Sequence, residues 1–424
     1  MVRNVMARLG ALLSLTLVSL LVARTSGPAG VGIFVLLRVL PWILGTLVSC
    51  GLFGAAPYFL AGPARSDPRY RPTIFAIAVV SGAVGGILWA AASPLLQDVL
   101  FPQMTIGLVA LAGITVLTQS LETTCKASSQ GRKDFAGANR IIVLEELLFL
   151  PAYGALIALG IPDEMAIVTA LILGDTVTSF QGWIRLARRG FFAGAGRPDT
   201  GLARRVLGFG VRAQVGTLLL FVNARLDFAI VGALVGPAAL GVYAIASRYA
   251  ELLRLPSLAF NYVLYPEFAR DGGRAAARKA VRMIPRVGWI PAAAAIPLAL
   301  SAAFVIRLLF GREFDGAVVP AVILLLGLSG GGVGAIVTAF LYGQGRPGLN
   351  SIAMGAGLAA TVVLDLLLIP PFGIVGAAVA SCVAYLITTA VLIAFFSSVS
   401  RSRGAEASEP TPTQVAEPVL EAAR

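Results

Sequence analysis

The chain has 424 residues, 58% of them hydrophobic and only 13% charged, with a formal net charge of +12. A soluble domain carries about 25% charged residues, so no ordinary water-facing surface can be built from this composition, and a mean hydropathy of +0.87 points to lipid. Histidine is absent, and the three cysteines Cys50, Cys125 and Cys382 lie far apart, which excludes histidine-based zinc sites, triads and proton relays and leaves no disulfide framework.

Twelve apolar runs follow one another, at about 7–24, 32–60, 73–93, 104–123, 139–160, 163–184, 207–235, 239–268, 287–310, 317–342, 350–369 and 373–397. A helix of about 20 such residues crosses the hydrocarbon layer. The first run follows Arg3 and Arg8 as a secretory signal does. It lacks a small-residue cleavage site before Arg24, and a second run starts almost at once, so a retained helix is expected. Cations gather in every second gap: Arg65, Arg69 and Arg71; Lys126, Arg132, Lys133 and Arg140; Arg185 to Arg212; Arg270 to Arg286; and Arg346. Cytoplasmic loops keep their cations during insertion, so those gaps and both termini are expected in the cytoplasm. The positive charge flanks spans, where anionic headgroups attract it, and a nucleic-acid partner is not expected.

The chain also repeats itself. Residues 27–34 read GPAGVGIF and residues 236–243 read GPAALGVY; the same shift sets Pro57 on Pro266 and Phe59 on Phe268. Gln130-Gly131-Arg132 finds an echo in Gln344-Gly345-Arg346. Two copies of six spans in the same orientation are parallel repeats. The expected division is a helical bundle over 1–190, a cytoplasmic linker at 191–206 acting as a hinge, a second bundle over 207–397, and a disordered tail at 398–424 poor in anything to bury.

Two strings imitate catalytic motifs. GFGVRA at 208–213 opens a membrane helix instead of following a strand, and GLSGG at 327–331 lies inside a span with no histidine to activate Ser329. Both are packing glycines.

The charges inside the spans carry more. Arg38, Asp175, Arg225, Asp227, Arg248, Glu251, Arg254 and Asp365 fall within apolar runs, with Glu145 and Glu146 nearer the cytoplasm. Each costs roughly 2.5–3.5 kcal/mol at the bilayer centre if exposed to lipid. Arg248, Glu251 and Arg254 recur every three residues and form a row on one helix face; Asn223 and Asp227 share a face while Arg225 points away. One reading is a set of salt bridges locking helices together. The other is a wet cavity whose arginines, Arg24 included, bind an anion and whose carboxylates tune or couple it.

Several strings resemble one family in their order and spacing: SGPAGVGIF, GLFGAAPYFLA at 51–61, the block DFAIVGALVGPAALGVYAIASRYAELLRLPSLAFNYVLYPEFA at 227–269, LFGREF at 309–314, YGQGRP at 342–347 and PPFGIVGAAVAS at 370–381. Over roughly residues 1–397 the chain resembles the polysaccharide-biosynthesis flippases of the multidrug/oligosaccharidyl-lipid/polysaccharide exporter superfamily. The resemblance implies an all-α polytopic membrane protein of about 12 transmembrane helices, in two six-helix bundles around a central cavity, working by alternating access. It implies a polyprenyl-diphosphate-linked oligosaccharide as cargo, no enzymatic activity, no resident cofactor or metal, and a place in the bacterial cytoplasmic membrane. On that view Arg225, Arg248 and Arg254 engage the headgroup, and Arg24 and Arg38 line an outer vestibule. Coupling to a proton or sodium gradient has Asp175, Asp227, Glu251, Asp365 and Asn223 as candidates. Glycan polymerase and glycosyltransferases are the expected partners besides the bilayer and the lipid-linked glycan. Twelve spans make the chain less like the lipid II flippases, which carry further C-terminal helices. A drug or small-metabolite exporter of the same superfamily, a membrane enzyme, or a non-transporting partner of a glycan-assembly complex are the alternatives. The short outer gaps speak against an enzyme with a catalytic outer loop.

Overall fold

With no water at mid-membrane, a crossing backbone must satisfy its own N–H and C=O groups, and a helix does so. The computed structural model describes residues 2–61, 67–254, 264, 267, 268, 270 and 273–405, with side chains for these apart from 2–9, 212–224, 273, 274, 347 and 401–405. Helices dominate, and no strand occurs among the described residues. In chain order they are α1 (Val2–Val48), α2 (Leu52–Ala61), α3 (Tyr70–Ala91), α4 (Ser93–Leu100), α5 (Ile106–Ala112), α6 (Ile114–Gly131), α7 (Phe135–Leu147), α8 (Phe149–Ala158) and α9 (Asp163–Arg188). Then come α10 (Thr200–Leu234), α11 (Pro237–Glu251), α12 (Gly273–Val287), α13 (Ile290–Phe310), a short 3-10 turn (Arg312–Ala317), α14 (Val318–Leu328), α15 (Gly331–Gly343) and α16 (Pro347–Ala405).

Each expected apolar run lies on one of these helices or on a consecutive pair, except that the end of the run at 239–268 falls largely outside the described residues. Among the described residues eight helical stretches are each long and apolar enough to cross a membrane. Two of them, Gly10–Val48 and Gly348–Ser400, hold two runs apiece, because Gly27 (φ 61°) and Gly373 (φ 55°) turn the chain sharply inside α1 and α16. Only glycine enters this left-handed region without a steric penalty.

Three boundaries differ from expectation. Lys126, counted among loop cations, sits inside α6, which runs on to Gly131. The linker is shorter than 191–206, since Asp199 caps α10 by accepting from the Leu202 N–H at 2.9 Å and starts the helix at Thr200. Nor does it hang free: Phe191 is fully buried against Trp183, and the Asp199 N–H donates to Thr73 Oγ1 at 3.0 Å. At the C-terminus α16 stays helical to Ala405, past the expected limit of 397; residues 406–424 of the expected tail lie outside the described ones.

The repeated GPA segments meet face to face. Gly32 in α1 sits so close to the Pro237 carbonyl, and Gly241 in α11 so close to the Pro28 carbonyl, that a methyl group on either glycine would collide with backbone. Small residues let helices approach to backbone contact in lipid, where packing drives association. At this end, which carries Gly27 and Gly236, one apolar core joins the first half of the chain to the second through Phe34, Leu36, Leu240, Tyr243 and Phe314. At the opposite, arginine-rich end the core divides: one cluster holds Leu52, Ile74, Trp183, Phe191 and Val206, another Phe268, Phe340 and Phe396. Among the described residues the apolar core is continuous across the halves at one end and split into two clusters at the other, where Gly51 still meets Gly210 at backbone distance and Phe209 stacks on Tyr58.

At the arginine-rich end Asp134 ties α7 to α9. It caps α7 by accepting from the Gly137 N–H (3.0 Å), takes two hydrogen bonds from Arg185 (3.0 and 3.1 Å) and pairs with Arg189 at 3.1 Å. Burial alone pushes its carboxyl pKa up, but the hydrogen bonds from Arg185 and Gly137 and the charges of Arg185 and Arg189 outweigh it and hold the group below the usual range. A depressed folded-state pKa stabilises the protein above the unfolded value of about 3.9, and that stabilisation fades as pH falls through the lower folded value. Asp134→Asn, which keeps the cap but loses the charge, is expected to lower Tm at pH 7 by the equivalent of about 1–2 kcal/mol. The gap to the parent protein should shrink below about pH 4; thermal unfolding across pH in detergent checks this.

Candidate functional site: a charged cavity between the two parts

Below the end where the core is continuous lies a cavity of about 430 Å³. Its wall is drawn from both halves of the chain: Arg38 and Trp42 of α1, Glu122 and Lys126 of α6, Glu145 and Glu146 of α7, Arg225 of α10 and Arg248 of α11. Helical spacing explains the convergence on α6, where Glu122 and Lys126 stand one turn apart and face the same way.

One side of the wall is a closed ionic network. Arg38 donates to Asp175 Oδ1 at 2.8 Å, to Glu146 Oε1 at 3.1 Å and to the Glu145 carbonyl at 2.9 Å. Lys126 reaches Glu145 Oε2 at 2.8 Å and lies 3.9 Å from Glu122. Asp175 is 1% exposed, so Arg38 and Asp175 hold each other in place where neither would be tolerated alone. The opposite side is less saturated. Arg225 pairs with Glu251 at 3.3 Å and lies over the Phe228 ring. Arg248 approaches the Phe34 ring face at 5.9 Å, and its Nη1 is buried without a hydrogen-bond partner. Among the described residues no carboxylate forms an ion pair with it. The cavity therefore presents one guanidinium with unused donors.

The remaining candidates are spread through the fold. Arg24 is far from this wall: its guanidinium donates to the carbonyls of Leu308 and Leu309 at 2.6 and 2.8 Å, supplying partners that the last turn of α13 lacks. Arg254 lies over the Tyr385 ring at 5.6 Å and is not part of the lining. The row Arg248, Glu251, Arg254 thus divides among three neighbours, because Glu251 turns to Arg225 on α10. Asp227 faces away from Arg225, accepting from the Tyr243 hydroxyl at 2.7 Å and from the Phe228 N–H at 2.9 Å, with Ser381 3.3 Å from the same hydroxyl. Asp365 is fully buried, and neither of its carboxylate oxygens has a hydrogen-bond partner among the described residues. The side chain of Asn223 lies outside the described ones.

Sequence reasoning missed Glu122 and put Lys126 in a loop. The Glu-Lys pair one turn apart was the available signal, but its register to the end of α6 needed the helix to be seen running on to Gly131.

A family model described as "Polysaccharide biosynthesis protein" matches residues 21–319. The chain belongs to that family. Among curated relatives, this polysaccharide biosynthesis protein is 21% identical over 385 residues, covering 89% of this chain and 78% of the relative, to a probable low-salt glycan biosynthesis flippase of Haloferax volcanii. Its fold is that of two solved transporters. A lipid II flippase, MurJ, in an inward closed conformation gives a TM-score of 0.71 at 13% identity, covering 95% of this chain and 90% of that one. An inward-facing multidrug resistance transporter of the MATE family gives 0.71 at 15% identity, covering 96% and 99%. The two give the same score, while the match leaves a tenth of the lipid II flippase uncovered and almost none of the drug exporter. An outward-facing MATE transporter scores 0.57 at 15% identity, covering 95% and 96%.

Removing Arg38 leaves Asp175 and Glu146 buried without their cation, whereas removing Arg248 breaks no ion pair. Arg38→Ala is expected to cost about 3–5 kcal/mol, and Arg248→Ala under about 1 kcal/mol. Unfolding of the two purified variants in detergent, side by side, checks the contrast.

Proposed function

We propose that this protein is a flippase that moves a polyprenyl-diphosphate-linked oligosaccharide across the bacterial cytoplasmic membrane by alternating access. Two lobes, 1–190 and 207–397, rock about the cavity, with the arginine-rich end and both termini in the cytoplasm. The observation that carries this reading is Arg248: a guanidinium at mid-depth, between the halves, whose buried Nη1 has no partner among the described residues. A diphosphate supplies paired anionic oxygens that a planar guanidinium fork matches. Arg225, held loosely by Glu251, stands on the same wall as a second contact. Arg38 positions the opposite wall; Arg24 and Arg254 serve structure. On this reading the headgroup enters from the arginine-rich, cytoplasmic side, and the lipid tail stays in the bilayer. The likeness to a glycan biosynthesis flippase supports the choice of cargo. Among the described residues nothing is arranged for bond-breaking chemistry, and we read the protein as a carrier working beside glycan polymerase and glycosyltransferases.

Arg248→Ala is expected to abolish export of the glycan, lowering it at least about tenfold, at normal expression and membrane insertion. Arg248→Lys keeps the charge but loses the fork and is expected to restore only part. Full export by Arg248→Ala in a strain lacking the parent gene overturns the assignment. Export of organic cations by the parent protein, with no glycan phenotype, gives the protein to the drug exporters, a reading that Glu122, Glu145 and Glu146 on the cavity wall favour.

We further propose that energy coupling resides in the second half, at Asp365 and Asp227. Asp365 is a buried carboxylate without a hydrogen-bond partner, within electrostatic reach of Asp227, and a proton or sodium ion would satisfy it. Asp365→Asn is expected to remove the dependence of flipping on an imposed ion gradient in proteoliposomes. A gradient response equal to that of the parent protein refutes the coupling role.

A further inference from the structure

A second cavity, of about 450 Å³, lies outside the central one, in the cleft between α7 and α9 at the arginine-rich end. Phe135, Val177 and Phe180 are exposed on these two helices, so the cleft opens on a surface built for lipid. Its mouth is basic: Arg140, Arg185, Arg188 and Arg189 line it, and no carboxylate does. The acid that meets them, Asp134, is taken by Arg185 and Arg189 together. Arg140 is steered by donating to Gln181 Oε1 at 3.0 Å, and Arg188 enters no ion pair among the described residues. At the floor is Thr178, fully buried, whose Oγ1 has no hydrogen-bond partner.

We propose that this cleft binds an anionic phospholipid, its phosphate held by Arg140 and Arg188 and a glycerol ester carbonyl accepting from the Thr178 hydroxyl. Spacing supports the pose. Gln181, which marks the level of Arg140, stands three residues along α9 from Thr178, about 5 Å of helix rise, comparable with the offset between a lipid phosphate and its ester groups. Between these levels the wall is apolar, with Ile141 and Leu144 on α7 and Ile184 on α9 beside the chain. Basic pockets between transmembrane helices at the membrane surface are suited to anionic headgroups. The site is remote from the cavity residues and independent of the transport reading, so binding is measured on protein that need not transport.

The test is lipid binding to the purified full chain in detergent, by native mass spectrometry, with phosphatidylglycerol, cardiolipin and phosphatidylcholine as probes. The parent protein is expected to retain the anionic lipids and release phosphatidylcholine. Each arginine near an anionic headgroup contributes about fivefold in affinity, so Arg140→Gln with Arg188→Gln should weaken binding about 25-fold. Thr178→Val should weaken it several-fold at unchanged Tm. The control pair Arg278→Gln and Arg282→Gln removes the same charge from exposed positions on α12 at the same end and should leave binding unchanged. The proposal is overturned if the α7–α9 double variant binds within about twofold of the parent, if the control pair loses as much, or if phosphatidylcholine is retained equally. Displacement of phosphatidylglycerol by millimolar inorganic phosphate or by a polyprenyl phosphate at equal concentration would assign the cleft to a different phosphate source and defeats the phospholipid identity.

Discussion

A charge inside a bilayer has no water to turn to, so the protein must answer it with another polar group or with a wet space. That constraint organises this molecule. Where Arg38 stands, Asp175, Glu145 and Glu146 have been brought from two other helices to meet it. Where Arg24 stands, the free carbonyls at the end of α13 serve. Arg248 and Asp365 keep buried polar atoms without a partner among the described residues, and the space beside Arg248 is the cavity. Buried ion pairs are weak contributors to net stability, since desolvation offsets much of the attraction. Their value here is geometric: they fix which helices face which, and thereby what remains unpaired.

Glycine does the complementary work. Gly32 against Pro237 and Gly241 against Pro28 let α1 and α11 touch at backbone distance, closing one end of the molecule over the charged layer. The same Gly-Pro element thus occurs twice in the sequence and meets itself in space. Among the described residues the apolar core is continuous on that side and divided on the other. The contact is made chiefly of small residues and apolar packing, and Arg24 adds two hydrogen bonds to the Leu308 and Leu309 carbonyls across the same end.

Charge of a different kind marks the arginine-rich end. There the cations are partly exposed, and one carboxylate, Asp134, both caps α7 and holds Arg185 and Arg189. The linker region is tied to the first half by Phe191 and by Thr73, not left to swing.

The all-helical membrane class and the places of the helices were legible in the sequence, because apolar runs of membrane length leave a crossing backbone no other structure. The count of twelve was matched only roughly, since eight helical stretches among the described residues are long and apolar enough to cross. The GPA repeat was legible too, as was the presence of too many charges at depth for lipid to bear. Pairing was not. Arg248, Glu251 and Arg254 share a helix face by spacing alone, yet the structure sends them to three different neighbours, with only Arg248 lining the cavity. Lys126 entered the site because α6 runs on further than its apolar stretch, and joins Glu122, which lies inside that stretch one turn earlier. Periodicity along one helix says which way a side chain points relative to its own axis. Which partner waits there depends on how that helix is rotated and tilted against its neighbours, and that is decided only when all of them pack at once.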